Sequence, residues 1–193
     1  MLNILITGTE GPHATGLTIL REAVARALPT ARPTTILAKR PQPHASFSHS
    51  KEGDLASTGE TETHVLAIDA TPMDVLRRAF LRRELYTPRP WDVVLIGVQP
   101  QAITGTDVFS HAATALAMAA ATHYFCYAVA FNQELEEGAS PQDRAAYAPA
   151  EKIIPHFLKT TPVEKGRCLG RSWGPSPPVL SAFSFHTQRH PRW

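Results

Sequence analysis

The chain has 193 residues, with 19 Lys and Arg against 17 Asp and Glu, giving a formal charge of +2. That length supports one globular core of ordinary size without staples, and so slight a charge excess gives no electrostatic sign of a nucleic-acid partner. Cys126 and Cys168 lie far apart without metal-finger spacing, no apolar run has membrane-spanning length, and no signal-peptide pattern opens the chain, so a reducing, cytoplasmic setting is the expectation.

Leu2 to Thr7 reads as a short buried strand, and the turn Gly8 to Gly16 leads into a helix marked by Leu17, Leu20, Val24 and Leu28 at helical spacing. "TTILAK" (34–39) is a second strand. The stretch 40–63, rich in Pro, Ser, Gly and His, has no periodicity, and a loop that long in a compact domain is functional or disordered. "HVLAID" (64–69) is a third strand, and "TPMDVLRRAFLRREL" (71–85) a helix entered through Thr71 and Pro72. "WDVVLIGV" (91–98) is the most strand-like run, β-branched and bounded by turn residues. Another loop follows, then an Ala-rich helix from Ser110 to Thr122 and the strand "YFCYAVAF" (124–131).

Strands alternating with helices predict an α/β fold: a three-layer, doubly wound, mostly parallel sheet of Rossmann-like type. Residues 1–132 form its core. Residues 133–193 are expected to be a divergent extension of the same domain, ending in a Pro-rich tail over 174–193. The loops at the carboxyl ends of the strands gather on one edge, where ligands bind in such sheets. They are Gly8 to Gly16, the segment after Lys39, Asp69 to Asp74, and Gln99 to Ser110.

On these residues the chain resembles a known family. "NILITGTEGPHATGLTIL" is similar to the opening of survival protein SurE and its relatives, which have a strand, then Thr-Asn-Asp-Asp-Gly, then a Gly-entered helix. "ATPMD" resembles their Gly-Thr-Pro-Ala-Asp, and "WDVVLIGVQ" their Pro-Asp-Leu-Val-Val-Ser-Gly-Ile-Asn. "GTDVFSHAATALA" resembles their Gly-rich loop and Tyr-Ser-Gly-Thr-Val helix start, and "YAVAFN" the strand after it. Beyond residue 132 no reliable match is visible. The resemblance implies a metal-dependent phosphatase acting on nucleoside monophosphates or other phosphomonoesters, a homo-oligomer with no membrane association.

The family holds its divalent ion with two adjacent aspartates, a serine and an asparagine. Carried over, these positions fall on Thr9, Glu10, His44 and Gln99, and none keeps the family residue. Thr9 trades an anion for a hydroxyl. Glu10 and Gln99 keep their oxygens on longer arms, while His44 offers a nitrogen, which suits Zn, Ni or Mn better than Mg or Ca. A Glu10, His44, Gln99 site for Mg, Mn or Zn is chemically feasible. The plainer reading is a helix-entry Glu and two polar loop residues. On the phosphate side the resemblance points to Gly105, Ser110 and His111, the last capable of attracting an anion when protonated, although Ser110 reads equally well as an ordinary N-cap. Glu10 and His13 are the candidate catalytic groups, with a solvent-facing role the plainer one for His13. Thr71, Pro72 and Asp74 fit helix capping, and Arg77, Arg78, Arg82 and Arg83 a solvated face.

Two functions remain open at this stage. One is a SurE-like domain whose substituted metal site has weakened or lost catalysis, leaving a nucleotide- or phosphate-binding or scaffold role. The other is an active nucleotidase or phosphomonoesterase with a rearranged metal site. A weaker third reading makes the tail 174–193 a docking segment for an assembly.

Overall fold

The computed structural model describes residues 1–45, 47–49, 60–62, 65–101, 111–160 and 180–185. Its strands are β1 (Asn3–Thr7), β2 (Arg32–Ala38), β3 (Glu60–Glu62), β4 (Val65–Ile68), β5 (Val93–Gln99), β6 (Tyr127–Gln133) and β7 (Leu180–Phe185). The helices are α1 (Thr15–Ala27), α2 (Pro72–Leu81), α3 (Ala112–His123) and α4 (Ala148–Thr160), with short 3-10 turns at Arg83–Leu85 and Arg144–Tyr147. One sheet in the order β3-β4-β2-β1-β5-β6-β7 joins them. Every pairing from β4 to β7 is parallel, and only β3 runs antiparallel, at the β4 edge.

Both faces of the inner strands β1, β5 and β6 are buried, which explains why they read as continuous apolar runs rather than alternating ones. Leu5, Val94 and Ile96 face the layer containing α2 and α3. Ile4, Ile6, Val93 and Leu95 face α1 and α4. The three-layer, doubly wound sheet expected from the sequence is therefore the observed architecture. From β1 the chain winds outward through β2 to β4, then returns to place β5 on the other side of β1. Strand order reverses between β1 and β5, and the crevice above their carboxyl ends is where a site belongs in such a sheet.

Several boundaries differ from the sequence reading for local reasons. α1 begins at Thr15, so Gly16 lies inside its first turn rather than before it. A Cβ on Gly16 would sit 2.0 Å from the Val98 carbonyl oxygen, so the glycine allows α1 to press onto β5. The expected long helix 71–85 breaks at Arg82, whose φ of −118° and ψ of 34° end α2. α3 starts at Ala112 with His111 as its cap, not at Ser110, which lies outside the described residues together with the rest of 102–110. The strand expected from Tyr124 begins at Tyr127, because Phe125 takes a left-handed φ of 50° and the Cys126 N–H turns back to Ala120 O. Of the stretch 40–63, residues 46, 50–59 and 63 lie outside the described residues, while Glu60–Glu62 near its far end form β3. The Pro-rich tail contributes β7, a strand that no apolar alternation in the sequence reading had marked.

Among the described residues no helix is long and apolar enough to cross a membrane.

Candidate functional site

β1 and β5 end side by side, with Thr7 opposite Ile96, and the residues that follow them meet across the switch point. Thr9 and Gln99 are both fully buried there. The Thr9 hydroxyl lies 2.8 Å from Gln99 Oε1 and donates to it, while Glu10 Oε1 stands farther off, at 3.4 Å from the same hydroxyl. Gln99 Nε2 is buried and has no acceptor among the described residues. The position of Gln99 is fixed from behind by Gly97, which has a φ of 110° and whose Cβ would lie 2.3 Å from the Phe131 carbonyl oxygen. A side chain there would push β5 off β6.

Glu10 is half-buried at the rim of a recess formed with Gly8, Gly11, Ala14, Leu17, Leu37, Gly97, Val98 and Gln99. Burial raises its carboxyl above the ordinary 4.5, opposed by the Thr9 hydroxyl and by the field of His44. Tyr147 feels the same carboxylate: burial first, then the charge of Glu10, pushes its phenol up to about 12. A raised carboxyl means that the folded state favours protonated Glu10. That contribution to stability is complete below 4.5 and is lost as pH rises through the higher folded-state value. The Glu10→Gln protein is therefore expected to gain stability relative to wild type as pH rises above 4.5, with no difference in more acidic buffer. Thermal melts of the two proteins across pH measure this.

The segment after β2 passes over the strand ends as a strap. The Gln42 N–H donates to Thr9 O at 2.6 Å, and Gln42 Nε2 reaches Ala70 O at 3.5 Å. Pro43 O accepts the Ala112 N–H at 3.4 Å. Farther on, His49 Nδ1 lies 2.7 Å from Oδ1 of the buried Asp74. Asp74 sits in the first turn of α2, where its N–H is held by the Thr71 hydroxyl at 3.3 Å and Pro72 opens the helix, so these three residues do form a cap.

At the start of α3, His111 turns its own ring onto the helix. The Ala113 N–H donates to His111 Nδ1 at 3.3 Å, so Nε2 carries the hydrogen and donates to Gln101 Oε1 at 2.8 Å. Nδ1 is thereby used within the helix cap. Because α3 depends on this cap, His111→Ala is expected to cost about 1 kcal/mol in urea unfolding.

The fold thus brings Thr9, Glu10 and Gln99 together, with His44 exposed on the strap but within electrostatic reach of Glu10. His13 is exposed in the loop before α1. His111 lies at the α3 cap, while Gly105 and Ser110 fall outside the described residues. Sequence reasoning missed the Pro43 carbonyl, the Gln101 to His111 pair and the packing role of Gly97. Only Gly97, a glycine inside an otherwise β-branched strand, carried a signal.

The family model for survival protein SurE matches residues 4–171. The chain belongs to the SurE family. The match runs well past residue 132, where the sequence resemblance had ended. The crystal structure of SurE protein from Aquifex aeolicus superimposes with a TM-score of 0.64 at 19% identity, over 83% of this chain and 62% of that one. This chain therefore spans less than two thirds of that SurE protein. No curated relative matches the sequence. SurE proteins are generally metal-dependent, act on phosphomonoesters and are generally oligomeric.

Proposed function

We propose that this SurE-family domain has lost or nearly lost phosphatase catalysis and serves as a nucleotide-binding or scaffold module, with its own hydrogen bonds standing where the family keeps a metal. The observation that carries this is the bond from Thr9 to Gln99. A cation at the switch point would need the Gln99 oxygen, and that oxygen is engaged by the Thr9 hydroxyl at 2.8 Å. The group beside it, buried Nε2, presents hydrogens, which a cation repels. Among the described residues there, Glu10 alone supplies negative charge, fewer anionic ligands than a hard divalent cation usually takes. The donor set does not fit Mg or Mn. The start of α3 supports the same reading, since the Ala112 and Ala113 N–H groups that could meet a phosphate are engaged by Pro43 O and His111.

A second reading, an active phosphomonoesterase with a metal held by Glu10, His44 and Gln99, draws on the nearness of His44 to Glu10. The discriminating assay supplies Mg, Mn and Zn one at a time with a nucleoside monophosphate or an aryl phosphate. No release of phosphate above that of Glu10→Ala is expected. Saturable, metal-dependent turnover abolished by Glu10→Ala would establish the second reading instead. Self-association, general in the family, is part of the proposal for this chain and is checked by sedimentation.

A further inference from the structure

The parallel sheet gathers the amino ends of its strands and the carboxyl ends of α2 and α3 at one edge, opposite the recess beside Glu10. Three large apolar side chains project into solvent there. Leu81 in the last turn of α2, Leu85 in the 3-10 turn after it and Phe125 in the corner before β6 are 60%, 62% and 54% exposed. They share one neighbourhood: the ring of Phe80 stacks on that of Tyr124 with centroids 4.2 Å apart, joining the end of α2 to the corner that holds Phe125. Arg78 Nε donates to Tyr86 Oη at 3.0 Å and ties the 3-10 turn back onto α2. Residues 77–92, which frame these tips, contain five arginines against Glu84 and Asp92, an excess larger than the +2 of the whole chain. Complementing the α2 dipole accounts for Arg78 and Arg82, but not for Arg77 or Arg89, both exposed. Phe125 supplies a second observation. It takes a left-handed φ of 50° where α3 ends, a place that glycine or asparagine fills with little strain. A bulky ring there is strained while more than half of it lies in water, and strain of this kind is kept at functional positions.

We propose that this edge is a peripheral docking face for an anionic phospholipid surface, with Leu81, Leu85 and Phe125 entering the headgroup layer and the arginines around them holding lipid phosphates. The chemistry selects this occupant. Arginine pairs bidentately with phosphate oxygens. Two leucine tips offer no surface on which a nucleic-acid base could stack, and Phe80 and Tyr124 already turn ring faces to each other. Peripheral binding needs neither a membrane-crossing helix nor a pocket; it combines buried apolar area with attraction to anionic lipid. Charge averaged over the chain hides this face, and it departs from the absence of membrane association that the family resemblance implies. Thr9, Glu10 and Gln99 lie at the opposite edge and face away from the bilayer, so the inference stands apart from any reading of their chemistry.

The test is co-sedimentation of the full chain with vesicles of phosphatidylcholine, either alone or with about 40% phosphatidylglycerol. Binding at least about tenfold tighter to the anionic vesicles is expected at low salt, and most of it should disappear in about 0.5 M salt, where charges are screened within a few ångströms. Arg77→Gln/Arg82→Gln/Arg89→Gln should weaken binding about tenfold or more, and Leu81→Ser/Leu85→Ser/Phe125→Asn should do the same through lost apolar insertion. Phe125→Asn alone is expected to weaken binding yet melt no lower than wild type, because asparagine suits the left-handed φ; loss of binding is then not loss of fold. The proposal is overturned if the anionic vesicles leave the protein in the supernatant, if phosphatidylcholine alone binds it equally, or if both triple variants bind as wild type does. Single-stranded polyuridylate that displaces the vesicles, and whose binding survives Leu81→Ser/Leu85→Ser, would assign the arginines to nucleic acid and overturn it. A dimer in solution that Leu81→Ser/Leu85→Ser dissociates would assign the apolar tips to a second copy of the chain and overturn it equally.

Discussion

Replacing Gly16 by alanine is expected to remove at least about 3 kcal/mol of stability, near the upper end for an overpacked core. The new methyl would stand 2.0 Å from the Val98 carbonyl oxygen and 2.9 Å from its carbon, atoms of the backbone that no rotamer change can move aside. Relief requires α1 to lift from β5, and that exposes Leu17, Ile19 and Leu20, all buried in the layer between them. Gly97→Ala should be comparably severe, since it combines a φ of 110° with a 2.3 Å approach to Phe131 O. Gly138→Ala supplies the control. Its φ of 84° is also left-handed, but nothing lies within 4 Å of the added Cβ, so only about 1 kcal/mol of backbone strain is expected. Urea unfolding of the three variants separates close approach from φ strain. If Gly16→Ala unfolds at the wild-type midpoint, the packing of α1 against Val98 is wrong.

Thr9→Asp is the second large effect. It restores one family carboxylate at a position with no solvent exposure, facing the Gln99 oxygen rather than a donor. An uncompensated buried charge costs about 3–5 kcal/mol, so the variant should melt far below wild type in the presence of a chelator. The direction of rescue is informative. Adding manganese should return much of the loss in a Thr9→Asp/Gln99→Asn protein, in which two carboxylates and a short amide again surround the cation, while leaving the wild-type melting temperature unchanged. A wild-type protein that manganese stabilises strongly would contradict the view that the Thr9 to Gln99 bond has taken the ion's place.

The architecture was legible because its signals are local and redundant. Apolar strands of near-continuous β-branched residues and the Thr71, Pro72, Asp74 cap each stand on their own physics, and the order of strands and helices leaves few topologies. The ends of elements were less legible. Nothing in "HYFCY" announces that Phe125 turns left-handed, and nothing in "SHAATALA" says whether Ser110 or His111 will cap α3, because both can accept a backbone N–H. β7 was missed because a parallel strand at the sheet edge is defined by its partner β6 and not by a pattern of its own. At the site, the sequence identified which residues had changed, but not what replaced their work. That Thr9 would satisfy Gln99 depends on the meeting of two chain segments some ninety positions apart, and the engagement of Ala112 by a proline carbonyl involves no side chain at all.

The strap after β2 also has a mechanical consequence. It is a tie bar anchored at the β1 loop through Thr9, at the end of β4 through Ala70 and at the head of α3 through Ala112. Two crossover units that would otherwise breathe separately are clamped to one another, and neither end can open without loading the other. The Gln42 and Ala112 amide hydrogens are then expected to exchange with solvent at one common rate, and the Ala112 amide should speed up when Gln42 is replaced by proline, which removes the ties to Thr9 and Ala70 but leaves the Ala112 to Pro43 bond itself untouched.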